Sequence, residues 1–201
     1  MWLILALLFA QDKYDAEHAF LQDATVNVYV QRIAVKLSGG VTARVVRDKT
    51  IRAASMPADR VYVTSGLVSR AANEAELAGV LAHEIAHLSG QAVIADTESG
   101  LCARFPAAKH PNDTGARERE RVADEAAIRM LTAARYDPAE MIAFFSKLRR
   151  ADLELPPAFS AEDLLLERLQ LEATDHPLTD LVRNTPEFER MRARVESALS
   201  R

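Results

Sequence analysis

Cysteine is nearly missing from this chain: its 201 residues include one, Cys102. No intramolecular disulfide can form, and neither a thiolate metal site nor a redox pair can be built from a single thiol. Cys102 therefore reads as a small apolar residue. An excess of positive charge is missing too, since 25 Lys and Arg stand against 29 Asp and Glu for a net charge of −4. Both signs are spread along the chain, which excludes the basic face that nucleic acid needs in a partner. No apolar run approaches the ~20 residues that span a bilayer. The run "MWLILALLFA" at residues 1–10 fits the hydrophobic region of a secretory signal, with Ala10 at the cleavage point, although no Lys or Arg precedes it. The alternatives are a short anchor that associates with a membrane and an N-terminal element packed on the core. Export to the periplasm or cell envelope is the expectation. Internal repeats, low-complexity tracts and linkers are also absent, so residues 11–201 are expected to form a single domain.

What the sequence does carry is helical periodicity. Val26, Val30, Ile33 and Leu37 recur at helical spacing within residues 22–37, and Gly39 and Gly40 end the pattern. The short β-branched segments "VTARVVRD", "TIRAASM" and "RVYVTSG" predict a small antiparallel sheet, with Pro57 at an edge because it lacks a donor. Asn73 and Glu76 form a capping-box pattern for a helix that runs to about Ser89. A loop is expected at 95–115, where Gly100, Pro106, Pro111, Asn112 and Gly115 fall. Further helices are predicted from Thr114 to about Ala134, from Asp137 and Pro138 to about Arg150, from Ser160 to about Ala173, and from Thr185 and Pro186 onward. The expected fold is α+β, mostly helical with a small sheet.

Within "VLAHEIAHLSG" the helix is apolar nearly all round, which marks it as buried. His83 and His87 stand four apart and share a face, where two imidazoles can meet one metal ion. Glu84 lies about 100° round the helix and can reach a water on that metal. Taken alone, the motif also fits two satisfied core histidines with an exposed glutamate. Catalytic zinc takes three protein ligands, so a third must come from elsewhere. A histidine six residues after His87 is excluded, because that position is Val93. In "ARERERVADEAAIRML", Glu120 and Asp124 fall at i and i+4 on the apolar face of Ala123, Ala127, Met130 and Leu131, whereas Glu118 and Glu125 fall among the arginines. Such a buried carboxylate pair needs a cation. Glu120 as third ligand, with Asp124 accepting the outer N–H of a zinc histidine, meets that need; salt bridges to Arg117, Arg121 or Arg129 are the alternative.

These residues resemble a large family of membrane and envelope zinc metallopeptidases, gluzincins, that includes the HtpX heat-shock protease, the periplasmic BepA type, the mitochondrial Oma type and the CAAX prenyl protease. The resemblance rests on "RVYVTSGL", "NEAELAGVLAHEIAHLSG", "ERVADEAAIRML", "ARYDPAEMIAFFSKL" and "DHP", and it covers residues from about 22 to about 185. It implies a zincin-type domain with one Zn2+ per chain on His83, His87 and Glu120, catalysis by Glu84, and support of the site by Asp124. It also implies that His176, in "DHP", approaches the zinc, to stabilise the tetrahedral intermediate or to block the resting metal. Arg183 corresponds, one residue late, to the arginine that follows the family's His-Pro pair and would face oxyanion or substrate. An extended peptide would pair with the edge strand at Ala53, Ala54, Ser55, Met56 and Pro57. The implied activity is an endopeptidase acting on unfolded or misassembled envelope proteins, with polypeptide as substrate and envelope proteins as partners. The rival is a zinc-bound chaperone or scaffold gated by His176. Where the family reads Asn-Ala and then Pro-Gly-Gly in its edge strand, this chain has Arg52-Ala53 and then Pro57-Ala58-Asp59.

Overall fold

The computed structural model describes residues 14–56, 58–89, 114–150 and 179–200. Residues 1–10, Pro57, most of the loop expected at 95–115, the helix expected from Ser160 and His176 lie outside them. No helix among the described residues is long and apolar enough to cross a membrane.

A helical turn at 14–17 leads to α1, Ala24–Leu37. Asp23 caps it, its carboxylate accepting from the N–H groups of Thr25 and Val26 at 3.0 and 3.2 Å. Val26, Val30, Ile33 and Leu37 are buried as their spacing predicts, together with Tyr29 and Ala34. Two polar residues of α1 serve the neighbouring strand β1, Thr42–Val46. Gln31 donates to Val41 O at 2.8 Å and accepts from Ala43 N at 2.7 Å, while Asn27 accepts from Val45 N at 3.2 Å. Arg47 N donates to Ala19 O and Leu21 N to Val45 O. Side-chain amides and the 19–21 backbone thus cover what would otherwise be an exposed strand edge.

β2, Ala53–Met56, and β3, Arg60–Thr64, complete a three-stranded sheet in the order β1-β3-β2. β2 and β3 are antiparallel, with Ala53 opposite Val63 and Met56 opposite Arg60. The antiparallel expectation fails for the other pair, because β1 runs parallel to β3, with Thr42 opposite Arg60 and Val46 opposite Thr64. Residues 47–52 cross the end of β3 instead of turning back beside β1. Asp48 N donates to Ser65 Oγ at 3.1 Å, Gly66 N to Asp48 O at 2.8 Å, and Thr64 Oγ1 to Thr50 O at 2.6 Å. Gly66 permits this crossing: a Cβ there would stand 2.2 Å from Lys49 O and 2.3 Å from Thr50 O. In the turn between β2 and β3, Ala58 and Asp59 adopt φ of 61° and 54°, the left-handed region that favours glycine. These are the two positions where the resembled family carries Gly-Gly.

Thr64 closes β3 and caps a short helix, α2, Ser65–Arg70, which the strand reading of "RVYVTSG" had run into. Then comes α3, Glu74–Ser89, the helix of the two histidines. Asn73 caps it, accepting from Glu76 N at 2.9 Å, but the capping box is only half formed. The Glu76 carboxylate accepts instead from Ala72 N at 2.7 Å, one residue before the cap, and from Lys147 at 2.6 Å. α4, Thr114–Ala133, and α5, Ala139–Arg150, pack against α3, whose other neighbours include β2 and α1. α6, Pro186–Leu199, is capped by Thr185 and lies against α2 and α1. α3 is thus central, and Leu77, Ala78, Leu81, Ala82 and Ile85 are all fully enclosed in the core.

Candidate metal centre

His83 and His87 come together because four residues of α3 bring both to one side. Their rings meet edge to face with centroids 4.7 Å apart, and their Nε2 atoms are 3.1 Å apart. The same spacing on α4 presents Glu120 and Asp124. Glu120 Oε2 stands 3.2 Å from His83 Nε2 and 3.5 Å from His87 Nε2. His83 Nδ1 lies 2.9 Å from Asp124 Oδ1. An ionised carboxylate only accepts, so Nδ1 carries the proton and His83 Nε2 keeps its lone pair.

The ligand atoms of His83, His87 and Glu120 all lie within 4.8 Å of one another. His83, Asp124 and Glu120 are 1%, 1% and 3% exposed, and Glu84, next to His83 on α3, is 1% exposed. Burial pushes the Glu120 carboxyl towards its neutral form; the imidazoles of His83 and His87 on the same group outweigh it and hold the carboxyl well below the usual carboxylate range. Glu120 is therefore anionic at neutral pH, and its buried Oε2 lies beside both imidazole nitrogens without a well-formed hydrogen bond among the described residues. Lone pairs crowded together out of water require a cation. Two histidines and a glutamate form the donor set of a catalytic divalent metal, which keeps a position for a further ligand. Among the described residues, Arg121 pairs with Glu118 at 2.5 Å and with Glu125, the two carboxylates placed among the arginines by the helix-face reading.

Two features of the centre escaped the motif. Phe145 on α5 meets the His83 ring edge to face, with centroids 5.7 Å apart and planes at 68°. α5 comes this close because position 79 is glycine: a Cβ there would stand 2.6 Å from Met141 Cβ. The available signal was Gly79 itself, a helix-interior glycine that costs about 1 kcal/mol against alanine.

The remaining expected residues are placed elsewhere. Arg183 is not gathered at the histidines; its Nε lies 2.5 Å from Glu140 Oε1, and Glu140 Oε2 accepts from Asn73 Nδ2 at 2.6 Å. Asn73 caps α3, so Arg183 sits at the far end of that helix, roughly 15 Å from His83 along the axis. Ala53, Ala54 and Ser55 are buried and Met56 half-buried in β2, at one edge of the sheet and against α3.

Residues 18–108 match Peptidase family M48, a stretch that contains His83, Glu84 and His87 and stops before Glu120 and Asp124. The structure supplies those last two by folding α4 against α3. No curated protein was found to match the chain. Over residues 18–108 the chain is similar to Peptidase family M48, and its His83, His87 and Glu120 form a group that could hold a metal ion.

Proposed function

We propose that the metal is zinc, one ion per chain, and that the enzyme is an endopeptidase acting on unfolded or misassembled proteins of the cell envelope. The observation that carries this reading is the buried convergence of His83, His87 and Glu120 within 4.8 Å. When bound, zinc acts as a Lewis acid that lowers the pKa of water from 15.7 to about 7. Glu84 takes the proton of the attacking water and delivers it to the leaving amine. Asp124 keeps His83 in the tautomer that leaves Nε2 as a ligand. His176 is assigned to the developing oxyanion by its place in "DHP". Edge pairing of an extended substrate fits β2. Thr64 N donates to Arg52 O at 2.9 Å, so by antiparallel alternation the backbone groups of Arg52 and Ala54 turn toward β3 and those of Ala53 and Ser55 toward the outer edge. Main-chain bonds to Ala53 and Ser55 along that edge would give affinity with little sequence preference. The apolar run at residues 1–10, as signal or membrane anchor, supports a periplasmic or envelope location and partners found there.

One observation favours a second reading. His83, Glu84 and Glu120 are closed to solvent, as in a zinc-bound chaperone or scaffold whose cleft His176 keeps shut. Bound zinc and casein cleavage, measured for the parent and Glu84→Gln, separate the two. One zinc in each protein with cleavage only by the parent supports the endopeptidase. Zinc in both without cleavage, relieved by His176→Ala, supports the gated form, and no zinc in either overturns both.

A further inference from the structure

We infer that Phe145 is a positioning residue for the metal centre, fixing the plane of the His83 imidazole so that Nε2 stays aimed at the ion shared with His87 and Glu120. The inference rests on the zinc reading above.

The Asp124 contact of 2.9 Å sets the tautomer of His83 and anchors one ring atom. The Asp124 contact, like those of Nε2 with His87 at 3.1 Å and Glu120 at 3.2 Å, meets the ring at a nitrogen, and hydrogen bonds tolerate tilting because their angular preference is broad. A metal ligand needs its direction held to about 10–20°. Packing against the ring adds to that restraint, and Phe145 supplies an aromatic contact from a second helix. It meets His83 edge to face at 5.7 Å, the arrangement aromatic pairs prefer. Phe145 is itself held, being buried and braced edge to face on Phe144 with centroids 6.1 Å apart.

The contact follows from the helices that carry it. α3 and α5 approach closely where Gly79 leaves room for Met141. His83 lies four residues after Gly79 and Phe145 four residues after Met141, so one turn along both helices the two rings fall together. A glycine at 79 thus sets the separation at which a phenylalanine side chain just reaches an imidazole.

Phe144 provides the internal control. It is buried as fully as Phe145, at 0% against 4% exposed. Its ring, however, meets Phe145 and the ammonium of Lys147 at 4.9 Å, and among the described residues it contacts neither histidine. Phe144→Leu and Phe145→Leu remove the same atoms from the same core, and only the second touches the ligand.

The test is the zinc dissociation constant of the full chain, stripped of metal and titrated with Zn2+ against a chromophoric chelator, alongside the melting temperature of each metal-free protein. Both variants should melt lower than the parent. Phe145→Leu alone should bind zinc more weakly, by roughly tenfold, the lower end of what lost outer support costs a metal site. Equal zinc affinity in the two variants, whether both weakened or both unchanged, overturns the inference. Should Phe145→Leu not fold, Phe145→Met conserves volume and replaces the ring with a flexible chain, so it is expected to show the same weakening; parent-like affinity in that variant is equally fatal. A parent that binds no zinc would instead bring down the zinc reading itself, which this design keeps distinct.

Discussion

The two ends of α3 both bury carboxylates, and they satisfy them in opposite ways. At the N-terminal end, Glu74 accepts from Tyr29 at 2.7 Å, from Tyr136 at 2.8 Å and from Thr185. Glu76 is met by Ala72 N and Lys147, and Glu140 by Asn73 and Arg183. Each negative charge there has donors from the protein, and the result ties α1, α5, the 183–185 segment and α6 to one helix terminus. At the C-terminal end, Glu120 faces two imidazole nitrogens and its Oε2 has no well-formed hydrogen bond among the described residues. Buried charge that the chain itself neutralises is architecture, and buried charge left for an external cation is a site.

Substitutions at each end should therefore fail differently. The largest effect is expected from Glu84→Gln, which removes the proposed base while leaving the proposed metal ligands His83, His87 and Glu120 in place. Peptide cleavage should fall by about 10²–10⁴-fold with bound zinc unchanged, read by metal analysis and turnover on the same preparation. Asp124→Asn comes next. Loss of a pure acceptor at His83 Nδ1 should weaken zinc by about 10–100-fold, measured by chelator competition. Glu74→Ala addresses the other end and should reverse the pattern. It leaves the hydroxyls of Tyr29, Tyr136 and Thr185 without their acceptor and should lower unfolding stability by about 3 kcal/mol in a urea titration, with zinc affinity unchanged. A zinc loss in Glu74→Ala matching that of Asp124→Asn would break the distinction between the ends. The smallest effect is expected away from both. Ala58→Gly relieves a left-handed φ of 61° and should stabilise the metal-free protein by about 0.5–1 kcal/mol, without altering zinc.

The histidine end of α3 was legible because its information is local. His83 with His87 and Glu120 with Asp124 are i,i+4 pairs, so helix periodicity alone puts each pair on one face. An apolar helix surface around a carboxylate pair then calls for a counter-charge. The supporting end was not legible, because Glu74 draws its donors from residues 45, 62 and 111 positions away, each an unremarkable Tyr or Thr in sequence. Phe145 was missed for the same reason, since its contact with His83 depends on how closely α3 and α5 approach. The parallel pairing of β1 with β3 was hidden because strand composition carries no direction. Its only trace was Gly66, where the crossing segment leaves no room for a side chain.

The most direct measurement is the number of zinc ions retained per chain after dialysis, in the parent and in Glu120→Ala, with circular dichroism to show that both are folded. The account predicts one ion in the parent and loss of retained zinc in the variant. Folded proteins that keep the same amount of zinc would contradict it, because Glu120 would then not be what the cation is there to neutralise.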